Sequence, residues 1–217
     1  MKNQDIKSLE NAEESLVFPG HFGRSINNIK ILKNFVELED LKTIQNFLPT
    51  INEWMDPGEN QYAEDGTCTY DASYWANRQC SYDILSRINL DIYNLIDKYI
   101  IKMQWFLEDE FKVKLTTRPP VIIRWFPGTE QQPHADKQLN DGSPNPFPTY
   151  DINSLLYYND NFEGGELYYP QHDLTIRPQP GLAVAHPGDI HYLHGVKKII
   201  KGERYTTPSF YTISELL

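Results

Sequence analysis

The sequence changes period at Pro119-Pro120, and this change constrains the fold more than any other feature. Beyond it, short apolar or aromatic runs are separated by Pro, Gly, Asn and Asp. They are Val121 to Phe126, Asn153 to Tyr158, Glu166 to Tyr169, Asp173 to Arg177, Leu182 to His186, His191 to Ile200 and Arg204 to Ile213. Short runs bounded by turn residues are strand signals, here at the spacing of a barrel or sandwich. No helical pattern interrupts them. Before Pro119 helical spacing dominates. Leu38, Leu41, Ile44 and Leu48 share a face of a helix from Glu37 to Leu48, which Pro49 stops. From about Tyr82 to Phe111, Ile84, Ile88, Ile92, Leu95, Ile96, Tyr99, Met103 and Phe106 recur at helical spacing, predicting a core-facing helix packed on a sheet. The fold class is therefore α+β, with helices first and then an antiparallel β unit for them to cover.

Composition sets the outer bounds. With 217 residues, 40 % apolar and 23 % charged, a single domain of residues 1–217 is expected. Residues 1–117 would supply helical support and loops, and 118–217 the β core. The formal net charge of −10 argues against a nucleic-acid partner or an anionic membrane surface. No apolar run reaches the length of a membrane span, and the first fifteen residues lack a signal-peptide core. They read as loose chain or a short surface helix, and the expected location is cytoplasmic. Cys68 and Cys80 allow at most one disulfide. Asn28 to Leu32 reads as a first strand, and Asn52 to Cys80 as a long aperiodic excursion.

Spacing singles out a site among the six histidines. His134-Ala135-Asp136 places an imidazole and a carboxylate at i and i+2, which share a face in extended chain. His194, on a late β segment, can add a third ligand; His191 is its rival. Two histidines and one carboxylate on one octahedral face leave three positions open, the facial triad of non-haem Fe(II) oxygenases. Arg204 follows His194 by ten residues, after the turn-like Lys201-Gly202. Its planar guanidinium suits bidentate grip of a carboxylate.

An ordered set of motifs accompanies these residues. Phe126-Pro127-Gly128 precedes His134-Ala135-Asp136. Leu155-Leu156-Tyr157-Tyr158-Asn159, Phe162-Glu163-Gly164-Gly165-Glu166-Leu167 and Pro180-Gly181-Leu182-Ala183-Val184 follow. His194-Gly195-Val196 and Gly202-Glu203-Arg204-Tyr205 come last. In this order, over roughly residues 118 to 213, the sequence resembles the prolyl-4-hydroxylase-like branch of the 2-oxoglutarate- and Fe(II)-dependent dioxygenases.

The resemblance implies a double-stranded β-helix, a jelly-roll or cupin-like barrel of eight core strands supported by the N-terminal helices. It implies Fe(II) held by His134, Asp136 and His194, with His194 preferred over His191 for its Gly-Val sequel and its distance to Arg204. Arg204 would pair with the distal carboxylate of the cosubstrate 2-oxoglutarate, and Tyr157 would add a hydroxyl there. O₂ and 2-oxoglutarate would be consumed and succinate and CO₂ released, with ascorbate as a further cofactor that the resemblance allows. Gly164-Gly165 would form a tight turn with φ > 0. His172 and His186 are read as structural or surface residues.

The sequence departs from the family at two places. Phe126 stands where many relatives have tyrosine, so a hydroxyl contact is missing. Arg204 stands where collagen-type enzymes use lysine, which argues against a collagen-type substrate. Asp136 argues against a halogenase, and Phe210 against a demethylase-type second arginine. The expected activity is hydroxylation of a peptidyl proline. Alternatives are hydroxylation of a small molecule or free amino acid at the same centre, and a catalytically silent binding barrel. The loop from Lys137 to Tyr150 would form part of a lid, and Trp54, Tyr62, Tyr70, Tyr74 and Trp75 an aromatic peptide surface.

Overall fold

The strand signals beyond Pro119 form antiparallel strands, and the helices before it pack on one face of the larger sheet. The structure, a computed structural model, describes residues 22–62, 66, 68–139 and 141–216. The first fifteen residues, read as loose chain or a short surface helix, lie outside the described residues. In chain order the elements are β1 (Lys30–Leu32), α1 (Leu38–Phe47), β2 (Gln61–Tyr62), β3 (Cys68–Tyr70), α2 (Ala72–Trp75), β4 (Gln79–Cys80), α3 (Tyr82–Ile88) and α4 (Leu90–Phe111). Then come β5 (Val113–Thr117), β6 (Ile122–Trp125), β7 (Gln131–His134), β8 (Ile152–Tyr157), β9 (Glu163–Gly164), β10 (Leu167–Tyr169), β11 (Leu174–Ile176), β12 (Ala183–Pro187), β13 (His194–Val196), β14 (Ile199–Lys201) and β15 (Arg204–Leu216).

Two sheets matter for the site. A seven-stranded sheet runs β1-β12-β8-β15-β6-β4, with β5 also paired to β15. A four-stranded sheet runs β11-β10-β13-β7. Their pairings are antiparallel. β8 and β12 are central and buried on both faces, so their sequences read as nearly unbroken apolar runs. On one face Ile152, Leu156, Ala183 and Ala185 pack with Ile44, Ile96, Tyr99 and Met103 of the helices. On the other, Tyr157 and Val184 pack with Leu167, Tyr169 and Ile176 of the smaller sheet.

The predicted long helix is two helices, because Asn89 interrupts it. Its backbone is extended (φ −158°, ψ 93°), and its side chain accepts from the Ile92 amide at 3.0 Å, capping α4. α4 ends at Lys112 in the left-handed region (φ 54°). The first strand is shorter than Asn28–Leu32: Ile26–Asn28 form a 3-10 turn before β1. The β unit also begins before residue 118. β5 pairs with the second half of β15, and β4, inside the Asn52–Cys80 excursion, pairs with β6. Among the described residues no helix is long and apolar enough to cross a membrane.

The buried Tyr99 ring ties α4 to α1 and its entry. Its hydroxyl donates to Asp40 Oδ2 at 2.6 Å and accepts from the Glu37 amide at 3.0 Å. Tyr99→Phe leaves the ring packed, leaves the Glu37 amide without its acceptor and leaves Asp40 Oδ2 with Lys98 Nζ, at 2.9 Å, as its remaining donor. A hydrogen bond to a charged group contributes about 1.5–3 kcal/mol. The expected result is a urea midpoint lowered by a loss of that size, with an unchanged m-value.

Candidate metal centre and its cavity

Strand register brings the two proposed imidazole ligands together. β7 and β13 are antiparallel neighbours in which His134 lies opposite His194. Directly opposed residues project from the same face of a sheet. The two rings accordingly stand 4.5 Å apart between centroids. Asp136 follows one residue after Ala135, in a bend just past the end of β7. Its amide and that of Lys137 both donate to the Gly188 carbonyl at 3.0 Å. Gly188 is tightly enclosed: a Cβ there would stand 1.9 Å from the Tyr150 carbonyl oxygen and 2.9 Å from Asn153 Nδ2.

The result is a cluster with one ligand atom from each of His134, Asp136 and His194, all within 4.8 Å of one another. His134 Nε2 is 3.6 Å from Asp136 Oδ1, and His194 Nε2 is 3.6 Å from Asp136 Oδ2. Each histidine has its Nδ1 against a backbone carbonyl, at 3.0 Å for His134 with Gln132 and 3.1 Å for His194 with Tyr192. With Nδ1–H donating there, Nε2 carries the free lone pair that a metal needs. Asp136 Oδ2 accepts from Asn153 Nδ2 at 2.6 Å. Gln131 Nε2 lies 3.2 Å from His134 Nε2.

Electrostatics suit a cation. Burial alone would raise the Asp136 carboxyl, but His194, His134 and His186 outweigh it and hold Asp136 well below the ordinary carboxylate range. Burial pushes His194 down to about 3 and also lowers His186. Burial opposes the charged form of His134 too, but Asp136 prevails and raises it. An ionised carboxylate beside two imidazoles is the donor set of a divalent transition metal, and a bound cation would displace the proton that Asp136 favours on His134.

The cluster opens into a cavity of about 520 Å³ between the two sheets. Arg204, fully buried, lines the same cavity. Arg204 Nη2 donates to the Tyr157 hydroxyl at 3.3 Å, while Nε and Nη1 have no partner among the described residues. Burial lowers its pKa, the mark of a cation taken from water without a counter-charge. An anion in the cavity would satisfy both the charge and the two unused donor nitrogens.

Gly164 and Gly165 have φ of 78° and 70°, as the tight turn requires. A Cβ at Gly165 would lie 3.2 Å from Arg204 Cδ, so this turn also packs against the arginine stem. His191 sits in the 3-10 turn Ile190–Tyr192, outside the cluster and the cavity lining. His172 stacks on Tyr192 and is not in the cluster. His186, read above as structural or surface, is buried beside the cluster, its ring 4.3 Å from His194 and on the cavity wall.

Two residues escaped the sequence reading. The strand alternation of β6 sends Ile123 and Trp125, not Phe126, to the cavity. Phe126 instead lies under the Arg124 guanidinium at 4.5 Å. The aromatic facing the site is thus a tryptophan, whose buried Nε1 has no partner among the described residues. Arg78 is buried behind it, its guanidinium 4.2 Å from the Trp125 ring and 4.1 Å from Tyr74. Of the aromatic surface expected from the excursion, Trp75 lines the cavity, whereas Trp54 packs on Arg124 and Tyr74 on Arg78. Tyr62 is exposed, and the side chain of Tyr70 lies outside the described residues. From the expected lid loop, Phe147 and Tyr150 reach the cavity.

No family model matches the chain. Human prolyl 3-hydroxylase 2 (Homo sapiens) is 34% identical over 95 residues, which are 38% of this chain and 13% of that protein. A PKHD-type hydroxylase from Sphingopyxis alaskensis is 28% identical over 137 residues, 60% of this chain and 56% of that one. The chain thus matches a small part of the first relative and about half of the second. Among solved structures, a prolyl-4-hydroxylase from Pseudomonas putida superposes with a TM-score of 0.57 at 14% identity, covering 94% of this chain and 98% of that one. The viral collagen prolyl hydroxylase from Paramecium bursaria Chlorella virus-1, solved as its 2-oxoglutarate complex, gives 0.55 at 16%, covering 85% and 95%. A Trichoplax adhaerens prolyl hydroxylase, solved with a hypoxia inducible factor peptide fragment, gives 0.54 at 17%, covering 98% and 94%. The chain is similar in sequence to prolyl hydroxylases and similar in fold to them, and so resembles the prolyl-hydroxylase-like 2-oxoglutarate- and Fe(II)-dependent oxygenases.

Proposed function

We propose that this chain is a 2-oxoglutarate- and Fe(II)-dependent hydroxylase acting on a peptidyl proline, with succinate and CO₂ as the other products. One observation carries the reading: a buried, incompletely paired guanidinium, Arg204, shares a cavity with the His134/Asp136/His194 cluster. A metal-binding donor set and an unsatisfied buried cation together ask for a ligand that joins a metal to a distal carboxylate, and 2-oxoglutarate has that form. The residues present fit both groups. Bound Fe(II) with 2-oxoglutarate and O₂ supplies the oxidising chemistry that inserts oxygen into a C–H bond.

The chain's own residues hold and shield. The Nε2 atoms of His134 and His194 and the Asp136 carboxylate would take one face of the metal, leaving the opposite face for ligands. Asn153 orients Asp136 through its 2.6 Å hydrogen bond. Arg204 and the Tyr157 hydroxyl would grip the distal carboxylate. Leu155, Leu167 and Val196 line the walls with apolar surface and limit the water that reaches the centre. Peptidyl proline is supported by the peptide complex of the Trichoplax relative and by the aromatic side chains at this cavity.

Two sets of variants test the reading. His134→Ala and His194→Ala should each lose stoichiometric Fe(II) binding, measured by metal analysis after anaerobic loading, while His191→Ala retains it. Asn153→Ala should keep the metal but weaken its affinity by about tenfold, the size expected when a partner of a ligand is removed. Loss of iron from His191→Ala with retention by His194→Ala reverses the ligand assignment.

Arg204→Ala should weaken 2-oxoglutarate binding by about 1.5–3 kcal/mol, read as a rise in its KM for succinate release. A screen of proline-containing peptides and free amino acids for a product heavier by one oxygen atom identifies the substrate class. Product from a free amino acid alone moves the reading to a small-molecule hydroxylase, and absence of both iron and 2-oxoglutarate binding moves it to a binding module.

A further inference from the structure

Among the described residues, three charged side chains besides histidine line the cavity: Arg118, Asp136 and Arg204. The proposed function uses Asp136 for the metal and Arg204 for the cosubstrate. Arg118 is left over. It lies between β5 and β6, exposed, and among the described residues its guanidinium has no ion pair. Its one described side-chain contact is the Tyr150 ring, 5.0 Å away.

The surroundings make Arg118 part of a built wall. Tyr150 is stacked on Phe210 at 4.1 Å with rings 20° apart, and on Phe147 at 5.0 Å with rings 10° apart. All three rings line the cavity. A guanidinium resting on an aromatic face loses less freedom when it takes a hydrogen-bonded anion, and it keeps its in-plane N–H groups available. In a chain of net charge −10, a cation without an acidic partner at the mouth of a cavity stands out. Fully buried Arg204 and exposed Arg118 lie on the same cavity, so a ligand meeting both the metal and Arg118 must reach from the interior to the surface. That requirement favours a peptide over a free amino acid.

We infer that Arg118 is a specificity-determining residue that selects peptides with a carboxylate side chain close in sequence to the reacting proline. The inference rests on the proposed function for its proline, but acid recognition can be read without turnover. The Phe147/Tyr150/Phe210 stack supplies a flat apolar surface for the peptide, and Arg118 fixes its register by pairing with the acid.

The test is a binding measurement on protein loaded with Fe(II) and 2-oxoglutarate in the absence of O₂. Short fluorescein-labelled peptides carry one proline in a Gly/Ser background, with Glu or Gln at each flanking position in turn. Fluorescence anisotropy should show Glu binding about fivefold tighter than Gln at one position, as expected of one partly exposed ion pair. The difference should shrink as salt is raised. Arg118→Gln should erase it, and Arg118→Glu should instead favour Lys at the same position, which also reports that the variant is folded. Equal affinity of Glu and Gln peptides at every position, binding of no peptide, or a Glu preference that survives Arg118→Gln overturns the inference. So does full displacement of the peptide by free glutamate at equal concentration, because the ligand is then a small acid. If the Glu preference is found but admission of O₂ yields no hydroxylated peptide, Arg118 stands as the acid-reading residue and prolyl hydroxylation falls.

Discussion

The pairing of β7 with β13 is the constraint on which the site depends. It sets His134 opposite His194, and side chains alternate with a period of two along each strand. A slip of one residue would turn one imidazole to the far face and dissolve the cluster. The register shifts between His194 and Val196, so the alignment at His194 is a local feature rather than the result of a long regular ladder. Gly195 permits it. A Cβ there would stand 2.7 Å from both the Gln131 carbonyl oxygen and the Tyr168 ring, so no larger residue lets the neighbours close on β13. Asp136 is then delivered by the loop, through two amides held on one carbonyl of Gly188. Each proposed ligand is thus placed by backbone, and the side chains have only to point inward.

Charge is distributed in an opposite sense inside and outside the molecule. The chain carries a net charge of −10, yet two guanidiniums, Arg204 and Arg78, are almost completely buried. Arg78 is held by carbonyl oxygens, with Nη1 donating to Tyr74 and Nε to Arg124, and by the faces of Tyr74, Trp75 and Trp125. Among the described residues neither arginine is given a carboxylate. Burying a cation in this way is unfavourable, and dipoles and ring faces only partly offset it. Both guanidiniums pack on Trp125 of the cavity wall, where an anionic ligand would offset their charge. A lysine at either place would keep the charge but lose the stacking and the forked donors of the planar guanidinium.

What could be read from the sequence follows from which residues act locally. Helices α1 and α4 were legible because apolar residues repeat along one face, and β8 and β12 because they are short apolar runs bounded by turn residues. The break at Asn89 was hidden, since the apolar period continues across it and only the capping side chain marks it. β5 was missed because Val113-Lys114-Leu115-Thr116-Thr117 follows a helix without a turn signal; the left-handed Lys112 makes the turn instead. The proposed ligands were legible because His134 and Asp136 are two residues apart and His194 keeps a fixed distance to Arg204. The environment of His186 and the burial of Arg78 were not, since both are set by strands distant in sequence. Tertiary pairing, not local preference, decides them.

Trp125 illustrates that limit and changes the chemistry of the wall. Reading along the chain, the residue immediately before Pro127-Gly128 is Phe126, and an aromatic without a polar atom suggests a lost contact. The sheet corrects this. Trp125 is the Cα partner of Arg204 across β6 and β15, and the Arg204 guanidinium lies 5.1 Å from its ring. The Arg78 guanidinium lies 4.2 Å from the same ring, so the indole is held by two cations. Its Nε1 is an indole N–H, which can donate and not accept. With Arg204 Nε and Nη1 it makes three unpartnered buried donors on residues of one cavity wall. A hydroxyl could have turned to accept from a cationic neighbour, whereas an indole cannot. The wall is therefore suited to ligands rich in acceptor oxygens, and a cationic side chain, which brings only donors, is a poor substitute there. A preference for an anionic ligand is then expected from donor geometry as well as from charge.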